Sequence, residues 1–418
     1  FEGEYPADDD RPQTMDDGSM VNRPSSMVAL RAYVESMGEL SNYYANQYEG
    51  GNRDVIAPLR SEEPNLLHAR SLARQHGWWN RVISTMQGLR ILYDHTGRHS
   101  EWKRLVEEIV PDFVGADDLP LSGREEQWDI VTHYRVRLAR GARNLAEAER
   151  LQRLQVDEQH RRAASLLARP AESLSAEEKN TIRSLAVSLN LLSEILREQG
   201  SPNSTGPDEE AFEILTNTKD HVSAAVVAFN LGHAYKDLPA LRNLDEAERW
   251  YKRALELYNP IDKKYIGGAT AQLGLVSYER FNDAKKDEKA EEELLKYLNA
   301  AADYYQQAFA LLPPDAVNDL AMVYRNLGNI YMHKGDIENS LKNSNQSIHY
   351  SETEGNLYQA GQTRRNVAIM LSQNGRLSDA LLYARAALRN FESYGGRAKD
   401  QEDKTKGLIA WIEEAMKK

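Results

Sequence analysis

The chain has 418 residues, no cysteine and a formal net charge of −12 at pH 7. The absence of cysteine excludes disulfides, cysteine nucleophiles and thiolate metal sites, and it fits a reducing compartment. No apolar run approaches the ~20 residues needed to cross a bilayer, and no basic-then-apolar leader is present. We therefore expect a cytoplasmic protein with no membrane partner. Because phosphate binding needs a net basic face, we expect no nucleic-acid partner either.

The N-terminal segment 1–24 is acidic and lacks apolar periodicity. Such a composition cannot bury enough apolar surface to fold, so we predict a disordered acidic tail. An alternative is that the tail lies in a basic groove as an autoinhibitory segment, although an unstructured linker is the simpler interpretation. Because the chain begins at Phe1 rather than Met, we expect it to be a piece of a longer protein.

From residue 25 onward, apolar residues recur every three or four positions, which predicts helices. Convincing β-type alternation is absent. We expect an all-α chain with an N-terminal helical region of divergent repeats at 25–120, a repeat array at 121–395 and a C-terminal capping helix at 396–418. The last helix is amphipathic, so partner binding is a second interpretation of its role.

Self-similarity is the strongest pattern in the sequence. An Asn-Leu-Gly triplet or a variant of it recurs, and the central apolar residues of the four copies are Leu231, Leu273, Leu327 and Val367. Small and aromatic residues follow at helical spacing, as in Ala247, Tyr251 and Ala254 or in Ala301, Tyr305 and Ala308. Small residues let two helices approach closely, and an aromatic ring fills the gap to the next pair.

These residues resemble the tetratricopeptide repeat. Their spacing near 40 residues is similar to that in kinesin light chains and in the Pins family of spindle-orientation adaptors. The resemblance implies a right-handed superhelical solenoid of antiparallel helix pairs over 182–395, with weaker repeats over 65–160. One copy departs from the pattern because serines replace the small and aromatic series, at Ser340, Ser344 and Ser347.

No catalytic or cofactor motif stands out. The phosphate-binding loop, the zinc-protease motif, the nucleophile elbow and the dinucleotide fingerprint are all missing from the sequence. His95 and His99 have the spacing of two metal ligands on one helical face, but Gly97 between them indicates a turn. We predict that the chain is not an enzyme and that it holds no cofactor and no metal.

One polar position recurs beside the central apolar residue of each copy. A carboxamide offers both a donor and an acceptor, so a ladder of carboxamides can bond to an extended peptide backbone. The resemblance to the 40-residue adaptors implies that this position holds bound peptides. The alternative is that each carboxamide bonds to the neighbouring repeat. The rungs are Asn230, Gln272, Asn326 and Asn366.

Other polar residues flank these rungs. Arg325 and Arg365 precede two of them, and guanidinium groups suit acidic segments through bidentate pairing. His233 and Asn329 follow one helical turn later, on the same face as their rungs. We therefore predict a binding groove for a protein or peptide that contains Asn230, His233, Gln272, Arg325, Asn326, Asn329, Arg365 and Asn366.

Residues 59–73, 76–79 and 92–98 resemble a segment of bacterial STAND proteins. In those signal-transduction ATPases, an NTPase core precedes a tetratricopeptide sensor arm. The resemblance implies that this chain is the ligand-sensing module of a larger bacterial signalling or defence protein, in which Trp78 and Trp79 are packing residues. The alternatives are a standalone scaffold adaptor and a peptide-responsive regulator of another protein.

Overall fold

The structure is a computed structural model that describes residues 23–258 and 262–417. Within these ranges the chain forms seventeen α-helices and, apart from one isolated bridge between Val114 and Pro120, no β structure. The predicted all-α fold is confirmed. Residues 1–22 of the predicted acidic tail lie outside the described residues. The chain divides into two compact units, with the boundary between residues 138 and 139.

The first unit is built from α1 to α4 and most of α5. Its core includes the fully buried Leu59, Leu66 and Met86. Gly97 ends α3 in the left-handed conformation, with φ 70°, so the predicted turn between His95 and His99 is confirmed. The helices are α1 Arg23–Glu49, α2 Ile56–Gln75, α3 Trp79–Thr96, α4 His99–Phe113 and α5 Glu125–Gly141.

The second unit continues with twelve helices in the described part of the chain. They are α6 Leu145–Leu167, α7 Ala176–Glu198, α8 Thr205–Asn217, α9 His221–Asp237, α10 Leu244–Leu257, α11 Lys263–Lys286, α12 Glu291–Leu311, α13 Val317–His333, α14 Ile337–Thr353, α15 Leu357–Gln373, α16 Leu377–Glu392 and α17 Lys399–Ala415. No helix in the described ranges is both long and apolar enough to span a membrane.

Helices α7 to α16 form five successive pairs, each with a first and a second helix. Tight turns join the two helices of a pair. Gly335 follows α13 and Gly375 follows α15, with φ 76° and 77°, a conformation that residues with a side chain rarely adopt. The next helix then begins at once, because the Asp336 side chain accepts a hydrogen bond from the Asn339 N–H at the start of α14.

Four residues in or directly beside each second helix are buried at sequence steps of four, three and four. We call these four residues the inner column of that helix. None of them is more than 8% exposed, which confirms the predicted small and aromatic packing positions. The columns are Ser204, Asp208, Ala211 and Leu215 in α8; Ala247, Tyr251, Ala254 and Tyr258 in α10; Ala301, Tyr305, Ala308 and Leu312 in α12; Ser340, Ser344, Ser347 and Ser351 in α14; and Ala380, Ala384, Ala387 and Phe391 in α16.

Helix α17 packs against the last pair. Its Ile412 is fully buried in a cluster with Val367 and Ala384, whereas Trp411 on the other face is 55% exposed. One face of α17 thus covers apolar surface that the last pair would otherwise present to water.

Candidate functional site

A polar cleft of about 420 Å³ is lined by α13 and α15, the first helices of two successive pairs. Four of the eight predicted groove residues line it: Arg325, Asn329, Arg365 and Asn366. None of the lining residues is acidic or apolar. The remaining two are Gln359 and Gln362.

Arg325 is half-buried and has no hydrogen-bond or ion-pair partner among the described residues. Burial lowers the pKa of its guanidinium, and no nearby carboxylate offsets that effect. The group stays charged, because an arginine does not deprotonate in a protein. A guanidinium that has lost water without gaining an acceptor binds an incoming anion strongly.

Arg365, the equivalent residue of the next pair, is held in place by α17. Its Nη1 donates to Oε1 of Gln401 in α17 at 2.7 Å. A neutral amide leaves the charge of Arg365 uncompensated, and the Nε of Arg365 is buried with no acceptor at all. Two cationic groups therefore share the cleft without a carboxylate to balance them.

The carboxamides of the cleft complete its chemistry. Nε2 of Gln359 donates to Oε1 of Gln362 at 3.3 Å, which orients this pair. Asn329 and Asn366 are half-buried, and their side chains have no hydrogen-bond partner in the described part of the chain. Each free carboxamide can both donate to and accept from a peptide backbone.

Two other predicted rungs do not line this cleft. Asn326 is only 4% exposed, and its Nδ2 is buried with no acceptor. Gln272 is 9% exposed; its Nε2 lies 3.8 Å from Sδ of Met322, and its Oε1 is buried without a donor. Both carboxamides are packed between helices rather than presented to solvent.

The remaining predicted residues, Asn230 and His233, bond within the array. Nδ2 of Asn230 donates to Oδ1 of Asn190 in the preceding first helix at 3.2 Å. Nδ1 of His233 lies 3.1 Å from the Tyr251 hydroxyl of the inner column. For Asn230 the geometry is the alternative considered above, a carboxamide that bonds to the neighbouring repeat, while its half-buried side chain still reaches the surface.

Sequence reasoning missed three polar residues near these rungs. Gln359 and Gln362 lie on α15 seven and four residues before Asn366, so helical spacing could have placed them on the same face. Asn190 lies 40 residues before Asn230, the spacing that also separates Asn326 from Asn366. Leu192 stands where glycine follows in Asn230-Leu231-Gly232, so the Asn-Leu-Gly pattern does not mark Asn190 as a rung.

The first unit has a cleft of its own, of about 630 Å³, along which Trp78 and Trp79 lie. Both rings also pack against the core of that unit. The guanidinium carbon of Arg124 lies 3.9 Å from the Trp79 ring centre, a cation–π contact. Among the described residues, no group of three or more His, Asp or Glu side chains is placed to hold a metal ion.

Comparison with known proteins supports a tetratricopeptide array. Residues 319–393, which include the cleft, match the family described as Tetratricopeptide repeat. A search of curated proteins gives no match. Among solved structures, the chain is similar to the Rap protein complexed with competence and sporulation factor, with 14% identity over 92% of this chain and 99% of that one and a TM-score of 0.41.

Two further solved structures are similar at the same level. BtubC (BKLC) from P. vanneervenii is 18% identical over 58% of this chain and 92% of its own, with a TM-score of 0.41. A human IFIT1 dimer with PPP-AAAA is 15% identical over 93% of this chain and 95% of its own, with a TM-score of 0.37. Likenesses this weak carry no information about the function of this chain. The class of protein defined here is an all-α helical-repeat array.

Proposed function

We propose that this chain is a non-catalytic recognition array that binds an acidic, extended segment of a protein or peptide in the cleft between α13 and α15. The observation that carries this proposal is the lining of the cleft, which combines two guanidinium groups and four carboxamides with no carboxylate. Arg325 gains an acceptor when an anionic side chain enters. Asn329 and Asn366 supply backbone hydrogen bonds that do not depend on the sequence of the ligand.

The test is a titration of the chain with fluorescein-labelled hexaglutamate, followed by fluorescence anisotropy, with hexalysine as the opposite-charge probe. We expect hexaglutamate to bind and hexalysine not to bind. Arg325→Gln should weaken hexaglutamate binding about tenfold, because a charge-assisted hydrogen bond contributes roughly 1.5–3 kcal/mol. Arg389→Gln is the matched control, since Arg389 is exposed on α16 and the variant loses the same charge.

A second pair of variants separates the cleft from general charge attraction. Asn366→Ala leaves the net charge unchanged and should still weaken binding, whereas Asn374→Ala just beyond the end of α15 should not. Equal effects of Arg325→Gln and Arg389→Gln, or equal binding of the two probes, would show that hexaglutamate does not use this cleft.

We further propose that the array is the ligand-sensing module of a larger bacterial signalling or defence protein and acts in the cytoplasm. The resemblance of a region at roughly 50–160 to a segment of STAND proteins supports this role, and the absence of cysteine fits a reducing compartment. A denaturing immunoblot of the source cell lysate tests it. A band far heavier than a 418-residue chain is expected. A band at the size of this chain would favour a standalone scaffold adaptor or a peptide-responsive regulator instead.

A further inference from the structure

A carboxyl group stands in the inner column of α8 where neighbouring columns carry an aromatic ring. Asp208 is the second residue of its column, the place that Tyr251 holds in α10 and Tyr305 in α12. Its side chain is fully buried. Such a group must find its hydrogen-bond partners inside the helix pair, because no water reaches it.

The oxygen contacts of Asp208 bear on whether its carboxyl group is protonated. Oδ2 lies 2.5 Å from Oγ of Ser193, and the same Oγ lies 2.6 Å from the Ser204 carbonyl oxygen. The serine hydroxyl has one proton and the carbonyl has none, so with an ionised Asp208 that single proton must be shared between two acceptors. A proton on Asp208 gives each short contact a proton of its own, with the Asp208 O–H donating to Ser193 and Ser193 donating to Ser204.

The charged groups around Asp208 do not supply an ion pair. On α7, Arg197 attracts the carboxylate and Glu194 repels it. Nη1 of Arg197 donates instead to the Asn230 backbone carbonyl at 2.7 Å. Burial, the largest influence, raises the pKa of Asp208 to about 6, against the lowering effect of its bonds to Ser193 and Asn190.

Ionisable groups on the other helices beside α8 pair with residues other than Asp208. Nε2 of His160 in α6 lies 3.0 Å from Oε1 of Glu210, and the Tyr235 hydroxyl of α9 donates to Glu209 at 3.2 Å. Asp208 therefore faces a polar but uncharged set of partners.

Its other oxygen directs a chain of hydrogen bonds toward the surface. Nδ2 of Asn190 donates to Oδ1 of Asp208 at 2.6 Å, so the amide oxygen of Asn190 points away from Asp208 and accepts from Nδ2 of Asn230 at 3.2 Å. One N–H of Asn230 is thereby used. Its amide oxygen and its second N–H have no partner among the described residues.

We propose that Asp208 is the positioning residue of the Asn190–Asn230 rung, holds a proton in the folded chain under mildly acidic conditions, and sets the direction in which Asn230 presents its free amide oxygen and N–H to solvent. This inference does not rest on the proposed function, because Asn230 does not line the cleft between α13 and α15. Ionisation leaves Ser193 with two acceptors for one proton and places an unpaired charge near Arg197. The rung therefore senses the proton on Asp208.

The positioning role is tested on the chain alone, by NMR with ¹⁵N-labelled asparagine. In the wild-type chain, the side-chain amide signals of Asn190 and Asn230 should shift together with a midpoint near pH 6. Asp208→Asn should hold both signals at the acidic position over the whole range, because its amide oxygen accepts from Asn190 and its N–H₂ donates to Ser193. Asp208→Leu should move both signals even at low pH. If it does not fold, the comparison of the wild type with Asp208→Asn still decides.

Hexaglutamate binding separates this inference from the proposed function. Amide signals that do not titrate in the wild type, or that titrate equally in Asp208→Asn, overturn the positioning role, even if hexaglutamate binds as expected. Titrating signals in a chain that does not bind hexaglutamate support the positioning role and count against the cleft. As a control, Asp303→Asn on the exposed face of α12 makes the same chemical change and should leave the titration of both signals intact.

Discussion

Gly232 on α9 and Tyr251 on α10 lie so close that a Cβ at position 232 would stand 2.6 Å from Cε1 of the ring. The ring is fully buried, and its hydroxyl bonds to His233. It therefore cannot move away from α9 without breaking that bond and opening the interface between the two helices. The Gly–aromatic pairing of the repeat is thus a steric requirement, since each first helix needs a bare backbone where a ring lies on it.

Gly232→Ala should destabilise the chain by about 1–3 kcal/mol, because the added methyl group overpacks the ring contact. Gly268→Ala on α11 is the matched control, since a Cβ there meets nothing within 4 Å and the backbone is helical. It should stabilise the chain by about 0.5–1 kcal/mol through lower entropy of the unfolded state. Urea unfolding of both variants checks this. A Gly232→Ala variant as stable as the wild type would contradict the steric argument.

Asp208→Asn should stabilise the chain at pH 7 and not at pH 4. The pKa of Asp208 is raised in the folded state, from 3.8 to about 6. A raised carboxyl pKa adds stability at low pH that is lost as pH rises through the folded-state value, so the loss spans about pH 4 to 6. Two units of pKa correspond to about 3 kcal/mol. The variant should gain up to that amount at pH 7, as measured by urea unfolding at several pH values.

The pH control for that experiment is Asp303→Asn, which should follow the wild-type stability curve at every pH. A stability difference between Asp208→Asn and the wild type that is the same at pH 4 and pH 7 would mean that the folded chain does not raise the pKa of Asp208.

Ser347→Ala should stabilise the chain by about 1 kcal/mol, because the Ser347 hydroxyl is buried with no hydrogen-bond partner. Alanine fills the same place in the columns of α10, α12 and α16. Ser340→Ala should destabilise the chain instead, since Oγ of Ser340 donates to the Gly328 carbonyl at 2.8 Å. Thermal unfolding of the two variants should give Tm shifts of opposite sign. Shifts of the same sign would refute the hydrogen-bond assignment.

Gln401→Ala should weaken hexaglutamate binding about threefold without changing the net charge. Gln401 holds Arg365 in place, and an unrestrained side chain must be ordered on binding at a cost of about 0.7 kcal/mol. Gln373→Ala, at the exposed end of α15, should bind like the wild type. Anisotropy titrations at one salt concentration compare them. Undiminished binding by Gln401→Ala would mean that α17 does not organise the cleft.

The sequence alone predicts most of the helix pairs, because the spacing of Leu231, Leu273, Leu327 and Val367 identifies the same position in four of the five first helices. It does not distinguish Asn326 from Asn366, which occupy the same position in successive copies. One is 4% exposed and the other half-buried, since exposure depends on how the next helices pack over the residue. Half of the predicted groove residues line the cleft for the same reason.

The burial of Asp208 could not be predicted from the sequence, for a different reason. The column of α8 reads Ser204, Asp208, Ala211 and Leu215, a series with two polar members that is typical of a helix face in water. Only the structure shows that Asn190 and Ser193 on α7 lie within hydrogen-bond distance of the carboxyl group. The amide of Gln401 was equally hidden, because its contact with Arg365 joins residues 36 positions apart.

The all-serine column of α14 has a consequence for how the array comes apart. The neighbouring columns each bury an aromatic ring, Tyr305 in α12 and Phe391 in α16. The column of α14 instead buries two hydroxyl groups that have no hydrogen-bond partner. In a linear array, each helix pair is coupled only to the pairs beside it. A weakly packed pair therefore separates the array into segments that unfold independently. In amide hydrogen exchange, we expect α9–α12 and α15–α17 to be protected as two separate cooperative groups, with the lowest protection in α14 between them. The cleft is lined by α13 and α15, which lie on the two sides of α14 in the array. A ligand bound there would contact both sides and would couple their unfolding.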